Sequence, residues 1–164
     1  MQKLLQILEK TTGSEIAYAH CDLPCGIYDP YSAQLAALTV IRMMDVIKDF
    51  SDHGHVDAES LQNLARAVEI KEDHAEKVKH ELRVIWGDYF KSEHFEKYPQ
   101  LHGLVNEILK LGSKCKQTTS REYALQMLAK VNEFTKIFWE TKGIIVKEVT
   151  YPMNPKEKVW LPEF

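Results

Sequence analysis

The stretch 58–90, AESLQNLARAVEIKEDHAEKVKHELRVIWGDYF, decides the fold of this chain of 164 residues. Its apolar side chains recur every three or four positions, which places them on one face of an α-helix. We therefore predict one long helix from about Ala58 to Phe90, with the charged run Lys71-Glu72-Asp73 on its solvent side. The predicted apolar face consists of Leu61, Leu64, Ala65, Val68, Ala75, Val78, Leu82, Ile85 and Tyr89. A helix with one apolar face needs other helices to cover it.

Three further segments of the chain have the same periodicity. Their predicted bounds are Tyr31 to Phe50, Pro99 to Gly112-Ser113, and Thr119 or Ser120 to just before Gly143. Asp57 or Ser60 is placed to cap the long helix. Four amphipathic helices joined by short polar loops predict an all-α fold, an antiparallel four-helix bundle over residues 31–142.

The pattern changes after Gly143. Ile144-Ile145-Val146 and Val149-Thr150-Tyr151 read as alternating, β-like segments. We predict that residues 143–164 form a short C-terminal extension, a hairpin arm that packs on a neighbouring subunit. Trp160 and Phe164 would be exposed in it unless they dock.

The bulk composition excludes several classes of protein. Hydrophobic residues make up 45% and charged residues 27% of the chain, as in a soluble globular domain. The net charge of −3 and the absence of a basic run argue against a nucleic-acid partner. No stretch of about 18 apolar residues occurs, so we expect no membrane span. We expect a cytoplasmic protein, with the periplasm or secretion as the alternative.

Side chains that can bind a metal ion are concentrated in His20-Cys21-Asp22-Leu23-Pro24-Cys25-Gly26, which we call the hook. It places one imidazole and two thiols within six residues, and Pro24 bends the backbone so that both sulfurs can face one point. A disulfide between Cys21 and Cys25 would close a small, strained ring, which favours reduced thiols. The third cysteine, Cys115, is interpreted as a bystander.

The segment before the hook, residues 1–19, is predicted to be a propeptide that a processing protease removes. It ends in Ala17-Tyr18-Ala19, as secretory peptides do, but its apolar run is short and interrupted. An exported signal peptide and an uncleaved arm are the alternatives. Cleavage before His20 would add a free amine to the donors. Amine, amide nitrogen and two sulfurs suit the square-planar geometry that Ni(II) and Cu(II) prefer.

Zinc is the rival metal, because cysteine and histidine are its usual ligands. The chain has one Cys-x3-Cys pair and no second cysteine pair to close a tetrahedral site. The remaining histidines could complete such a site in principle, but none of them forms a convincing pair. They are His53, His55, His74, His80, His94 and His102.

The segment His20–Pro30 resembles the nickel hook of nickel-containing superoxide dismutases. The blocks Trp86–Lys91, His94–Pro99 and Ile137–Lys142 resemble that family in the same order. The resemblance covers about residues 20–142, which divides the chain into a propeptide (1–19), a dismutase domain (hook 20–30, bundle 31–142) and an extension (143–164). It implies a homohexamer with one nickel ion per subunit. It also implies that superoxide is disproportionated to dioxygen and hydrogen peroxide through a Ni(II)/Ni(III) cycle.

The resemblance also implies roles for individual residues. His20 would bind nickel through its amine and imidazole, Cys21 through sulfur and amide nitrogen, and Cys25 through sulfur. Pro24 would hold the turn, and Asp22 would lie beside the ligands. The Tyr28 hydroxyl would face the open side of the metal, where superoxide binds.

This chain departs from the family pattern at two positions. Where relatives carry a glutamate and an arginine that orient the hook imidazole, this chain has Ala36 and His74. His74 is our candidate for the group that holds His20 instead. Lys91 is our candidate for the cation that attracts superoxide to the site.

Two other functions remain open at this point. The chain could carry nickel or copper for delivery without turnover, or it could be a thiol–disulfide switch that uses Cys21 and Cys25. An N-terminal His20 distinguishes the enzyme from both, because only cleavage supplies the amine ligand.

Overall fold

The computed structural model describes residues 26–52 and 57–164. The predicted propeptide, the hook residues 20–25 and the loop histidines His53 and His55 therefore lie outside the described residues. The described elements are α1 (Tyr31–Asp52), α2 (Ala58–Val84), a π-helical turn (Ile85–Tyr89), α3 (Ser92–Lys97), α4 (Leu101–Gln117), α5 (Arg121–Thr141), β1 (Val146–Thr150) and β2 (Lys158–Pro162).

Four long helices, α1, α2, α4 and α5, form the predicted antiparallel bundle. Each packs on two of the others, in the cyclic order α1, α2, α4, α5. The core between them is closely filled by large side chains, among them Ile41, Met44, Leu82, Ile108, Met127, Phe134 and Phe138. Asp57 caps α2 as predicted, with its carboxylate accepting a hydrogen bond from the Ser60 amide at 2.7 Å.

Lys71 corrects the predicted solvent face of the long helix. Its side chain is buried, at 2% exposure, and its ammonium donates to the carbonyls of Lys116 and Thr118 at 2.9 and 3.0 Å. These carbonyls lie at the C-terminal end of α4, where they lack partners inside the helix. These two hydrogen bonds from Lys71 stabilise the last turn of α4, which therefore runs to Gln117 instead of ending at Gly112-Ser113.

The same contact explains a second error in the predicted apolar face of α2. The helices α2 and α4 run antiparallel, and Lys71 lies level with the last turn of α4. The turns of α2 before Lys71 extend beyond the end of α4. Leu61 is consequently 54% exposed, and neither Leu64 nor Ala65 is buried.

The region between α2 and α4 also differs from the prediction. The last turn of the long helix is a π-turn, closed by a hydrogen bond from the Phe90 amide to the Ile85 carbonyl at 3.4 Å. The next residues, predicted as a loop, form the short helix α3. The His94 ring fixes the start of that helix, because its Nδ1 accepts a hydrogen bond from the Lys91 amide at 3.0 Å.

The C-terminal extension is an antiparallel hairpin, as predicted, in which Val146 pairs with Pro162 and Thr150 with Lys158. The hairpin packs on its own bundle, and its predicted packing on a neighbouring subunit stays a prediction. Val159 is fully buried, and Lys136 of α5 holds its ammonium 3.5 Å from the centre of the Trp160 ring. Phe164 remains 98% exposed, although its ring lies 5.8 Å from that of Trp139.

Candidate active site

Tyr28 is the one predicted catalytic residue that lies within the described part of the chain. It follows Gly26, whose φ of +71° is a left-handed conformation that favours glycine and turns the chain at the end of the hook. The Asp29 carboxylate accepts a hydrogen bond from the Tyr31 amide at 2.9 Å, which anchors the start of α1. Tyr28 is therefore held between the hook and a rigid helix.

Tyr28 packs on Tyr89, with ring centres 5.8 Å apart and an angle of 52° between the rings. Tyr89 is the last residue of the π-turn. Its ring lies nearly parallel to that of His94 at 5.5 Å and tilted against that of Phe138 at 4.8 Å. We call Tyr28, Tyr89, His94 and Phe138 the aromatic cluster; it joins the segment after Gly26 to the π-turn, α3 and α5.

The end of α5 supplies the polar groups of the aromatic cluster. The Tyr89 hydroxyl lies 2.6 Å from the Thr141 hydroxyl, which donates to the Phe138 carbonyl at 2.6 Å. The Lys142 ammonium lies 4.6 Å from the centre of the Tyr89 ring. A cation over an aromatic ring is favourable, and here it also gives the cluster local positive charge in a protein of net charge −3.

Sequence reasoning missed Tyr89, Thr141 and Lys142 as site residues. All three belong to blocks that resemble the nickel-containing dismutases, which was the available signal. Nothing local in the sequence links Tyr89 to residues more than fifty positions away, so their meeting could not be predicted.

Lys91, predicted to attract superoxide, lies at the edge of the aromatic cluster. Its side chain is exposed, and its amide is bonded to the His94 ring that stacks on Tyr89. This position is compatible with the predicted role, which stays a prediction.

The structure does not bring His74 into the aromatic cluster. His74 lies fifteen residues before Tyr89, or roughly 20 Å along the helix axis at 1.5 Å per residue. Its Nδ1 lies 2.8 Å from the Ile70 carbonyl, and since a carbonyl only accepts, Nδ1 carries the proton. Nε2 is the ring nitrogen that is left to bond another group. Ala36 is buried at 2% exposure and offers no polar side-chain atom. The proposed link between His74 and His20 stays a prediction.

The predicted nickel ligands His20, Cys21 and Cys25, with Asp22 and Pro24, lie outside the described residues. Within 26–52 and 57–164, no three His, Cys, Asp or Glu side chains lie close enough to hold a metal ion. His102 accepts a hydrogen bond from Trp86 Nε1 at 3.1 Å and stacks on Phe95 at 4.1 Å. The described histidines therefore give no support to a zinc site.

Cys115 is fully buried in the core between the helices. Burial raises the pKa of its thiol to about 11, from an ordinary value of 9.0, and nearby Lys71 only partly opposes this. The thiol therefore stays protonated at neutral pH, where it is a poor nucleophile and a poor metal ligand.

Comparisons with protein families, curated proteins and solved structures all find nickel-containing superoxide dismutases. A family model described as nickel-containing superoxide dismutase matches residues 15–142. Two curated relatives, the nickel superoxide dismutases of Streptomyces seoulensis and Streptomyces coelicolor, are each 44% identical over 124 residues. Each of these matches covers 76% of this chain and 88% of the relative.

Solved structures of nickel-containing superoxide dismutase match as well. A crystal structure in a partly X-ray-reduced ligation state has a TM-score of 0.67 and 43% identity, covering 76% of this chain and 99% of that one. A native structure has a TM-score of 0.65 and 43% identity, covering 75% and 99%. No helix among the described residues combines the length and apolar character needed to cross a membrane.

Proposed function

The chain belongs to the nickel-containing superoxide dismutase family, and on that premise we propose that it disproportionates superoxide at a nickel site formed by the hook after cleavage before His20. The observation that carries this proposal is the extent of the family match, which includes the hook as well as the bundle. In the overall reaction, two superoxide anions and two protons give one dioxygen and one hydrogen peroxide.

The donor set of the hook suits nickel. Cys21 and Cys25 would hold nickel through two thiolates, and His20 and the Cys21 amide would supply nitrogen donors, a set of ligands that nickel favours. Anionic sulfur and nitrogen donors favour a higher oxidation state. Nickel bound there would supply a one-electron couple between Ni(II) and Ni(III).

The described residues would shape the approach to that site. Tyr28 would link the hook to the other rings of the aromatic cluster, and these rings would limit the access of water. Lys142 and Lys91 supply positive charge near the point where an anionic substrate would enter. The Tyr28 hydroxyl would hydrogen-bond a bound oxygen species.

The proposal includes processing and assembly. A protease would remove residues 1–19, and the mature subunits would assemble as a hexamer with one nickel ion each. The chain as written would be latent, because the His20 amine ligand is still joined to Ala19 in a peptide bond.

Intact mass, metal content and superoxide consumption of the native protein test the proposal together. We expect an active protein that begins at His20 and holds one nickel ion per subunit. A native, active protein that retains Met1, or one that holds only zinc, would overturn it. Nickel without superoxide consumption would favour the metal carrier, and a metal-free hook that cycles between thiols and disulfide would favour the redox switch.

A further inference from the structure

The end of α5 holds a two-step hydrogen-bond chain from Tyr89 through Thr141 to the Phe138 carbonyl. Both oxygen–oxygen distances are 2.6 Å. A carbonyl oxygen can only accept, so the single hydroxyl proton of Thr141 is committed to Phe138. The Thr141 oxygen must therefore accept from Tyr89, which fixes the Tyr89 hydroxyl as a donor towards α5.

We propose that Thr141 is a positioning residue of the active site. It holds the Tyr89 hydroxyl proton on the α5 side and leaves the phenolic oxygen only acceptor capacity for other groups of the site. This inference rests on the proposed function of the aromatic cluster and deepens it.

The consequence is a division of roles between the two tyrosines. With its proton committed, Tyr89 cannot donate to an oxygen anion, and its oxygen can only accept from a neighbouring donor. Donation to superoxide or to a peroxide product then falls to Tyr28, the other phenol of the cluster. The two rings are in contact, at 5.8 Å between centres, so both phenols belong to one cluster.

Neighbouring contacts keep Tyr89 in the orientation that Thr141 requires. His94 stacks on its ring, Phe138 packs against it, and Lys142 places its ammonium 4.6 Å from the ring centre. The phenol can rotate its hydroxyl without moving the ring. Loss of the Thr141 oxygen would therefore release the proton while leaving the ring in place.

Thr141→Val tests the proposal, with Thr141→Ser as the conservative variant. In metal-free protein, the NMR signals of the Tyr89 hydroxyl proton and Cζ carbon report whether the phenol donates, with no dependence on nickel or turnover. We expect Thr141→Val to shift both signals, and Thr141→Ser, which keeps the hydroxyl, to leave them as in the wild type. Unchanged signals in Thr141→Val would overturn the assigned hydrogen-bond direction.

A matched control exists in α1. The Thr39 hydroxyl also donates to a helical carbonyl, that of Leu35 at 3.0 Å, and is half-buried. Within the described part of the chain, its hydroxyl bonds to α1 itself and not to a residue of the aromatic cluster. Thr39→Val should leave the Tyr89 signals and the dismutase rate unchanged. If Thr39→Val shifts the Tyr89 signals as much as Thr141→Val does, the shift does not come from the Thr141–Tyr89 hydrogen bond, and the proposal is overturned.

A double-mutant cycle with Tyr89→Phe then tests whether Thr141 affects turnover through the Tyr89 hydroxyl. In the nickel-loaded enzyme we expect Thr141→Val to lower the rate roughly three- to tenfold, the value of one hydrogen bond. In the Tyr89→Phe background it should have no further effect, because Thr141 acts only through that hydroxyl. Additive losses would overturn the positioning role. An inactive wild type with the expected NMR shifts would refute the proposed function but not the hydrogen-bond direction.

Discussion

Lys142 is a single side chain through which the electrostatics of the site can be tested. Its ammonium lies 4.6 Å from the Tyr89 ring centre and 5.3 Å from that of Phe138. We expect Lys142→Gln to lower kcat/KM for superoxide about two- to tenfold and to weaken its dependence on ionic strength, because less positive charge steers the anion. Pulse radiolysis at several salt concentrations measures both.

Variants of two other lysines are compared with Lys142→Gln. Lys147→Gln removes an exposed cation that is paired with Glu163 at 3.3 Å on the hairpin, so it should leave the salt dependence unchanged. Lys91→Gln tests the cation predicted from sequence. Equal effects of Lys142→Gln and Lys147→Gln would show that only net charge matters.

Glu76 is predicted to make the fold sensitive to acid. Partial burial raises the pKa of its carboxyl, but hydrogen bonds from Lys116, Arg83 and Lys79 outweigh burial and lower the pKa to about 2, from an ordinary 4.5. A lowered folded pKa gives stability that is fully present above 4.5 and is lost as the pH falls towards 2.

We therefore expect Glu76→Gln to destabilise the protein at pH 7 and to have progressively less effect below pH 4.5. Urea unfolding of both proteins from pH 7 to pH 2.5 measures this difference. Because Glu76 is 41% exposed, added salt should reduce it. A difference that does not change with pH would contradict the assigned ion pairs.

The C-terminal turn of α4 depends on a side chain from another helix. Lys71→Met removes the ammonium that caps the carbonyls of Lys116 and Thr118. We expect a loss of about 1–3 kcal/mol in the free energy of unfolding, because the Lys71 ammonium is buried and two partly buried carbonyls lose their partner. Urea unfolding gives this value, and hydrogen exchange at residues 114–118 should accelerate. Lys77→Met, at an exposed position of the same helix, is the control and should be nearly neutral.

The hairpin is held on the bundle by two buried amides. The Gln34 amide donates to Asn132 Oδ1 at 2.8 Å and to the Trp160 carbonyl at 3.1 Å, and Asn132 Nδ2 donates to the Lys158 carbonyl at 2.9 Å. We expect Asn132→Ala to cost about 1–3 kcal/mol and to speed hydrogen exchange in β2 more than in α2. Uniform acceleration across the chain would instead indicate a global loss of stability.

Among the described residues, the buried core is formed mainly by the four long helices and the hairpin. Among the described residues the bundle is complete without the hook, so Cys21→Ser and Cys25→Ser in the mature protein should each abolish nickel binding with little change in melting temperature. Cys115→Ala is the matched control, because it lies in the core: it should keep nickel and lower the melting temperature. Nickel retained by either hook variant would contradict the proposed ligands.

The sequence by itself determined the helices of the bundle, the hairpin and the candidate ligands of the hook. These features follow from short-range rules: the helical period of apolar residues, the strand alternation after Gly143, and donors crowded within six positions. The burial of Lys71, the meeting of Tyr28, Tyr89 and Thr141, and the docking of the hairpin were decided only by the tertiary structure. Each joins residues from distant parts of the chain, such as the 52 positions between Tyr89 and Thr141. A local pattern carries no information about which distant carbonyl or hydroxyl a side chain will meet.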